Sequence, residues 1–188
     1  MSGMTASTEA KPITGEEFAL LPDVGPCELV LGRILPMSPT GGERGRIELN
    51  FGAALTGFAR ARKLGKVLVG EVGIFTRRGP DTVRGADVVY ISNERYERLA
   101  SKQGFLDVAP DLVVEVLSPH DSAAGLTQKL REYFAAGVRL VWVADPEARA
   151  VLVYRSMTDV REIQETGRLS GDDVLPGFEI DVAALFEE

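Results

Sequence analysis

The segment Asp111-Leu-Val-Val-Glu-Val-Leu-Ser118 has the composition of a fully buried β-strand, yet it contains Glu115. An ionised carboxylate buried without a partner costs several kcal/mol. Glu115 must therefore pair with a cation or base, or take up a proton. A second strand-like segment, Ala86-Asp-Val-Val-Tyr-Ile91, places Asp87 in the same apolar setting. Two carboxylates on neighbouring buried strands suggest a divalent-metal site.

The residues that follow predict a strand–helix–strand unit. A helix from about Ala123 to Ala136 should end at Gly137, a residue suited to the left-handed C′ position, and 139–145 should form the next strand. Lys129 lies at the edge of the apolar stripe of this helix, so we expect its ammonium group to turn toward the sheet and Glu115. The stripe itself comprises Leu126, Leu130, Tyr133 and Phe134.

The rest of the chain predicts an α/β fold, a mixed β-sheet flanked by helices, with hairpin additions near both ends. The expected elements are a capped helix from Thr14 to Leu21, two strands within 27–37 that turn at Gly32, a helix over 43–62, strands over 66–76 and 85–91, a short helix over 93–99, a hairpin of 151–154 with 160–165, and a strand and short helix within 175–186.

Length and composition predict one globular domain. We expect residues 1–13 to be a disordered tail and 14–188 to be a single domain. No apolar run reaches the roughly 20 residues that span a bilayer, and the N-terminus lacks a secretory signal. The single cysteine, Cys27, excludes an internal disulfide and fits a cytoplasmic location.

The net charge of −7 counts against non-specific binding of nucleic acid, but the charge is uneven. Between positions 41 and 84 there are nine Lys and Arg against four acids, and from 145 to 188 there are eleven acids against four Arg. The basic side of the long helix is a weak candidate for a DNA-facing surface. Its residues are Arg44, Arg46, Arg60 and Arg62, and the alternative is an ordinary solvated face.

Asp87, Glu115 and Lys129 are chemically consistent with metal-assisted phosphodiester hydrolysis. Two carboxylates can hold Mg²⁺ or Mn²⁺, and a nearby lysine can orient the attacking water or stabilise the transition state. The alternatives are structural: Glu115 and Lys129 form only a buried ion pair, and Asp87 only accepts hydrogen bonds.

Several motifs, in the same order, resemble the Uma-type putative restriction endonucleases of the PD-(D/E)XK phosphodiesterase superfamily. The similarity covers roughly residues 14 to 187. The motifs are Glu28-Leu-Val-Leu-Gly-Arg-Ile34, Met37-Ser-Pro-Thr-Gly-Gly42, Gly85-Ala-Asp-Val88, Pro110-Asp-Leu-Val-Val-Glu-Val-Leu-Ser-Pro119, Gln128-Lys-Leu-Arg-Glu-Tyr-Phe-Ala-Ala-Gly-Val138 and Trp142-Val-Ala-Asp-Pro146.

The resemblance implies a restriction-endonuclease-like core and a DNA endonuclease that uses Mg²⁺ or Mn²⁺. It makes Asp87 the first metal ligand and Glu115 the second, with Glu28 as a further metal ligand that completes the site. Lys129 is then the catalytic lysine relocated to the helix, since Leu117 occupies the usual strand position. Cutting both strands with one site per chain is simplest in a homodimer, which we expect.

Two positions depart from the family pattern. Arg44 stands where the family usually has a histidine, and Ala86 replaces a proline. An arginine cannot transfer protons as histidine does, so a catalytically inactive protein that uses this fold for binding or assembly is the rival hypothesis. Glu71 is a weaker candidate for a place near the site. The only histidine, His120, is expected to be a loop residue before the helix.

Overall fold

The computed structural model describes residues 11–22, 25–119 and 121–188, so most of the expected tail and His120 lie outside the described residues. The helices are α1 (Gly15–Ala19), α2 (Gly42–Arg62), α3 (Asn93–Glu97), α4 (Ala123–Ala136) and α5 (Val182–Phe186). The strands are β1 (Cys27–Val30), β2 (Arg33–Pro36), β3 (Gly65–Arg77), β4 (Thr82–Ser92), β5 (Leu112–Val116), β6 (Leu140–Asp145), β7 (Ala150–Tyr154), β8 (Val160–Gln164), β9 (Arg168–Ser170) and β10 (Glu179–Asp181).

The main sheet is mixed, as predicted. Its order is β2-β1-β4-β5-β6-β7-β8, and β3 pairs with β4. Only β5 and β6, joined through α4, pair in parallel, and the other described pairs are antiparallel. The β1–β2 and β7–β8 hairpins form the two expected additions.

Strand β4 organises the site because two strands share one of its edges. Val83 pairs with Phe75 of β3 on one side and with Leu29 of β1 on the other. Further along, Val88 pairs with β3 and, on the edge that β1 occupies, with Val114 of β5. Residues 84–87 of β4 therefore lie in a gap between β1 and β5, where side chains can reach the backbone of the sheet.

Two apolar layers cover the sheet, one on each face. Helices α2 and α5 pack on one side, where Phe51 lies against the fully buried Trp142. Helix α4 packs on the other through Leu130 and Tyr133. The side chains of β5 alternate between the layers, Val113 facing α4 and Val114 facing α2. Helices on both faces explain why this strand is apolar except at Glu115.

Local sequence signals set several boundaries. Ser122 accepts a hydrogen bond from Gly125 N–H at the start of α4, and Gly137 ends that helix with φ 101°. Thr14 and Glu17 form the expected capping box of α1. The strand and short helix expected within 175–186 are β10 and α5, and the structure adds β9, which pairs with β10 in a small second sheet. In the described part of the chain, no helix combines the length and apolar character needed to cross a membrane.

Candidate active site

Asp87 lies in the middle of β4, not at a strand start as the sequence suggested, and its side chain is fully buried. Its Oδ2 accepts a hydrogen bond of 2.6 Å from the backbone N–H of Val116, at the end of β5. Its Oδ1 accepts a short hydrogen bond from Nη2 of Arg44. The carboxylate thus bridges the end of the central strand β5 and the first turn of α2.

Glu115 is held by two side chains of α4. Lys129 Nζ lies 2.8 Å from Glu115 Oε2, and the Tyr133 hydroxyl donates a 2.5 Å hydrogen bond to Glu115 Oε1. Residues 129 and 133 are one helical turn apart, so both reach the same strand position. The ammonium group therefore turns toward the sheet, as the helical spacing predicted.

Glu28 joins β1 to the same cluster. Its Oε1 accepts a 3.0 Å hydrogen bond from Gly85 N–H and lies 3.4 Å from Lys129 Nζ. Its Oε2 accepts a 2.7 Å hydrogen bond from Arg84, which also binds Glu132 of α4 at 2.5 Å. Arg84 is itself buried. This guanidinium ties β4 to β1 and to α4.

A β-bulge in β3 brings Glu71 into the site. The pairs Val69–Val88 and Val72–Ala86 leave two residues of β3 opposite Asp87 alone. The two extra residues are Gly70, with φ 93°, and Glu71, with φ 54°. A β-bulge changes the direction in which the side chains of the bulged strand point. Glu71 Oε1 accepts a 3.2 Å hydrogen bond from Arg44, and Oε2 is buried with no hydrogen-bond partner among the described residues.

Arg44 contacts three carboxylates at once. Besides Asp87 and Glu71, its Nε lies 3.0 Å from Glu48 Oε1, one turn along α2, in an ion pair without hydrogen-bond geometry. Burial disfavours a charged guanidinium, but Asp87, Glu71 and Glu48 together more than offset this and raise the pKa of Arg44 above its ordinary value. Arg44 is therefore a permanent cation at the centre of the site.

A cleft of about 320 Å³ opens onto these residues. Its floor includes Glu28, Glu115 and Lys129, and Arg44 and Glu71 contribute another wall. The rim comes from the end of β2 and from the segment that leads into α4, comprising Leu35, Pro36, Met37, Ser38, Leu117, Ser118, Asp121 and Ser122. Asp87 does not line the cleft, because Arg44 lies over its outer oxygen.

The cluster carries more carboxylates than cations. The acids are Glu28, Glu48, Glu71, Asp87, Glu115 and Glu132, and the cations are Arg44, Arg84 and Lys129. Burial, reinforced by the charge of Asp87, raises the pKa of Glu48 and of Glu115 to about 7 and raises that of Glu71. Burial lowers the pKa of Lys129, but Glu115 and Glu28 outweigh this and hold it above its ordinary value.

The donor chemistry fits Mg²⁺ or Mn²⁺, which prefer carboxylate oxygens. The excess of negative charge and the unpaired Oε2 of Glu71 fit a divalent cation as well. The side chains are nevertheless arranged around protein cations. Among the described residues, no three acidic, histidine or cysteine side chains are already placed to hold one ion. Any cation that approaches Asp87 from the cleft would meet Arg44 first.

The structure brings together the four candidate catalytic and metal-binding residues, which are Asp87, Glu115, Glu28 and Lys129. Arg44 and Glu71 lie beside them. The other basic residues of α2 lie elsewhere. Arg46 binds the carbonyl groups of Phe186 and Glu187, Arg62 stacks on Phe58, and Arg60 is exposed. Arg44 and Arg46 thus bind groups of the chain itself, whereas Arg60 and Arg62 are exposed, and the DNA-facing surface stays a prediction.

The sequence pattern did not single out Glu48, Arg84 or Glu132, and it indicated only a core position for Tyr133. One signal was available for Glu48, its spacing of four residues from Arg44 on a predicted helix. A second signal was available for Arg84, which is a charged residue in an otherwise largely apolar segment. The contacts of Glu132 and the Tyr133 hydroxyl depend on how α4 lies on the sheet.

Comparisons with known proteins identify a matching family and a solved structure of similar fold. The family model of Uma2, described as "Putative restriction endonuclease", matches residues 16–183. The fold is similar to the crystal structure of a protein described as a putative nuclease belonging to DUF820 from Anabaena variabilis. The two share 20% sequence identity with a TM-score of 0.77, over 93% of this chain and 98% of the other. No sequence among curated proteins matches this chain.

Proposed function

Because the chain belongs to the Uma2 family of putative restriction endonucleases, we propose that it is a nuclease that hydrolyses phosphodiester bonds of DNA and depends on Mg²⁺ or Mn²⁺. The observation that supports this most is the contact between Glu115 and Lys129. A buried carboxylate on a central strand meets a lysine ammonium at 2.8 Å on the floor of an open cleft, with Asp87 on the adjacent strand.

Asp87 and Glu115 are the proposed metal ligands. A carboxylate has about four acceptor positions. On Asp87 and on Glu115, donors within the protein occupy two of these acceptor positions. On Glu28 they occupy three. Glu28 is thus better suited to holding Lys129 than to binding an ion. When bound, the ion neutralises negative charge on the phosphate and lowers the pKa of a coordinated water.

Lys129 acts as a charged hydrogen-bond donor in this proposal, not as a base. Its raised pKa keeps the ammonium protonated at neutral pH, where it can orient the attacking water and stabilise negative charge on the phosphate. The proton of the attacking water must therefore go to a group other than Lys129.

DNA is the proposed substrate, and a homodimer is the proposed assembly for cutting both strands. Of the basic residues on α2, Arg60 and Arg62 remain exposed and can face a phosphate backbone. Arg44 lines the cleft itself.

A cleavage assay tests this function. Wild-type protein with Mn²⁺ should nick or linearise supercoiled plasmid, and chelation should stop the reaction. Glu115→Gln and Lys129→Met should each lower the rate about 100-fold or more. Lys102→Met, which removes an exposed lysine paired with Glu97, should cleave like wild type. Absence of wild-type cleavage with either ion, or undiminished cleavage by Glu115→Gln, contradicts the proposal.

A non-catalytic protein that uses the nuclease fold for binding or assembly is the second candidate. The contact of Arg44 with Asp87 favours it, because an arginine that never leaves this carboxylate excludes an ion from it. This candidate predicts DNA or protein binding without cleavage, and no heat of binding when Mn²⁺ is titrated into the protein.

A further inference from the structure

Arg44 occupies the place on Asp87 that a cation approaching from the cleft would need. The inner oxygen of Asp87 is bound by Val116 N–H, deep in the sheet, which leaves Oδ1 as the outer oxygen. Arg44 binds that oxygen and lines the cleft, whereas Asp87 does not. The guanidinium therefore lies between the carboxylate and any ion arriving from the cleft.

The same guanidinium also engages the other acidic side chains on this wall. It reaches Glu71, which the β-bulge directs opposite Asp87, and Glu48 on its own helix. A planar guanidinium with five N–H donors can contact several carboxylates from one position, which a compact ammonium cannot do as well. It carries one positive charge against the three negative charges that these carboxylates bear when ionised.

We propose that Arg44 is a tethered competitor of the divalent ion, a side chain that neutralises Asp87 and its neighbours in the metal-free protein and must move away before the ion binds. This inference rests on the metal-dependent function proposed above and deepens it. The ion then binds with an affinity reduced by the work of breaking the Arg44 contacts. The metal-free protein is stabilised by those same contacts.

Two opposite effects follow when the guanidinium is removed. The carboxylates lose their cation, so the metal-free protein becomes less stable. The ion no longer has to displace a partner and meets more negative charge, so it binds more tightly. A residue with only a structural role would lower stability without strengthening metal binding.

Calorimetric titration of Mn²⁺ into full-length protein distinguishes these roles. Arg44→Gln should bind Mn²⁺ about tenfold more tightly than wild type or better, a difference of about 1.4 kcal/mol. Arg60→Gln removes the same charge from an exposed position of the same helix and should bind like wild type. In chelator, Arg44→Gln should melt at a lower temperature than Arg60→Gln, and Mn²⁺ should raise its melting temperature by the larger amount.

If Arg44→Gln does not fold, Arg44→Lys serves instead. Its single ammonium cannot span the three carboxylates, so the affinity for Mn²⁺ should still exceed that of wild type. Equal or weaker binding by the folded variant overturns the competitor role, and measurable wild-type binding then leaves the proposed function intact. If the variant binds Mn²⁺ and wild type does not, the result supports the role of Arg44 as a competitor. It also overturns the proposed metal dependence of the natural protein. No binding by either protein overturns both.

Discussion

Replacing Glu115 by Gln should change how stability depends on pH. In the metal-free fold the pKa of Glu115 is about 7 because the side chain is buried beside Asp87, against an ordinary value of 4.5. Between these values the folded protein keeps a proton that the unfolded chain has released. The free energy of unfolding therefore falls as pH rises through this range.

The size of the effect follows from the shift. The two pKa values differ by about 2.5 units, and each unit corresponds to about 1.36 kcal/mol. Glu115 should therefore remove about 3 kcal/mol of wild-type stability between pH 4.5 and pH 8. Glu115→Gln lacks this titration. Its Lys129 still has Glu28 at 3.4 Å, so the ammonium is not left without a partner.

Urea unfolding in chelator at about pH 5 and about pH 8 measures the difference. The free energy of unfolding of the variant should be close to that of wild type at the lower pH. At the higher pH it should exceed that of wild type by about 3 kcal/mol. Glu48 titrates in both proteins, so its contribution cancels. Glu147→Gln, at an exposed position, should follow wild type throughout. The reasoning is refuted if the variant loses about 3 kcal/mol at pH 8, the sign of a stranded lysine, or if the gap does not depend on pH.

Two further substitutions test the contacts around Glu115 and Glu28. Tyr133→Phe removes the hydroxyl that donates to Glu115 and should cost about 1–3 kcal/mol of unfolding free energy, since the acceptor is a buried carboxylate. Arg84→Met removes the buried cation shared by Glu28 and Glu132 and should cost about 3–5 kcal/mol. Urea unfolding at neutral pH checks both.

Each of these substitutions has a matched control. Tyr96→Phe removes a hydroxyl from a partly exposed tyrosine, and Arg98→Met removes an exposed guanidinium. Both controls should lie within about 0.5 kcal/mol of wild type. A loss at Tyr133 or Arg84 no larger than at its control would show that the contact contributes nothing to stability.

Local patterns were enough to predict the strand–helix–strand unit. The apolar stripe and Gly137 predicted α4 with its correct bounds, and the structure adds the N-cap at Ser122. The same periodicity turned Lys129 toward Glu115. These features depend on residues within a few turns of one another, so the sequence alone determines them.

The remaining parts of the site depend on contacts between distant residues. The contact of Arg84 with Glu28 joins positions 56 residues apart, and that of Arg44 with Asp87 joins positions 43 apart. The bulge that directs Glu71 is a property of the β3–β4 register. Strand β9 has three residues, too few for an alternating pattern to appear.

A crystal structure of the protein grown with Mn²⁺ tests the central claim most directly, because Mn²⁺ can be located by its anomalous scattering. We expect one ion bound by both Asp87 and Glu115, with the guanidinium of Arg44 moved off Asp87. Arg44 still in contact with Asp87, and no anomalous peak beside Glu115 at saturating Mn²⁺, would contradict it.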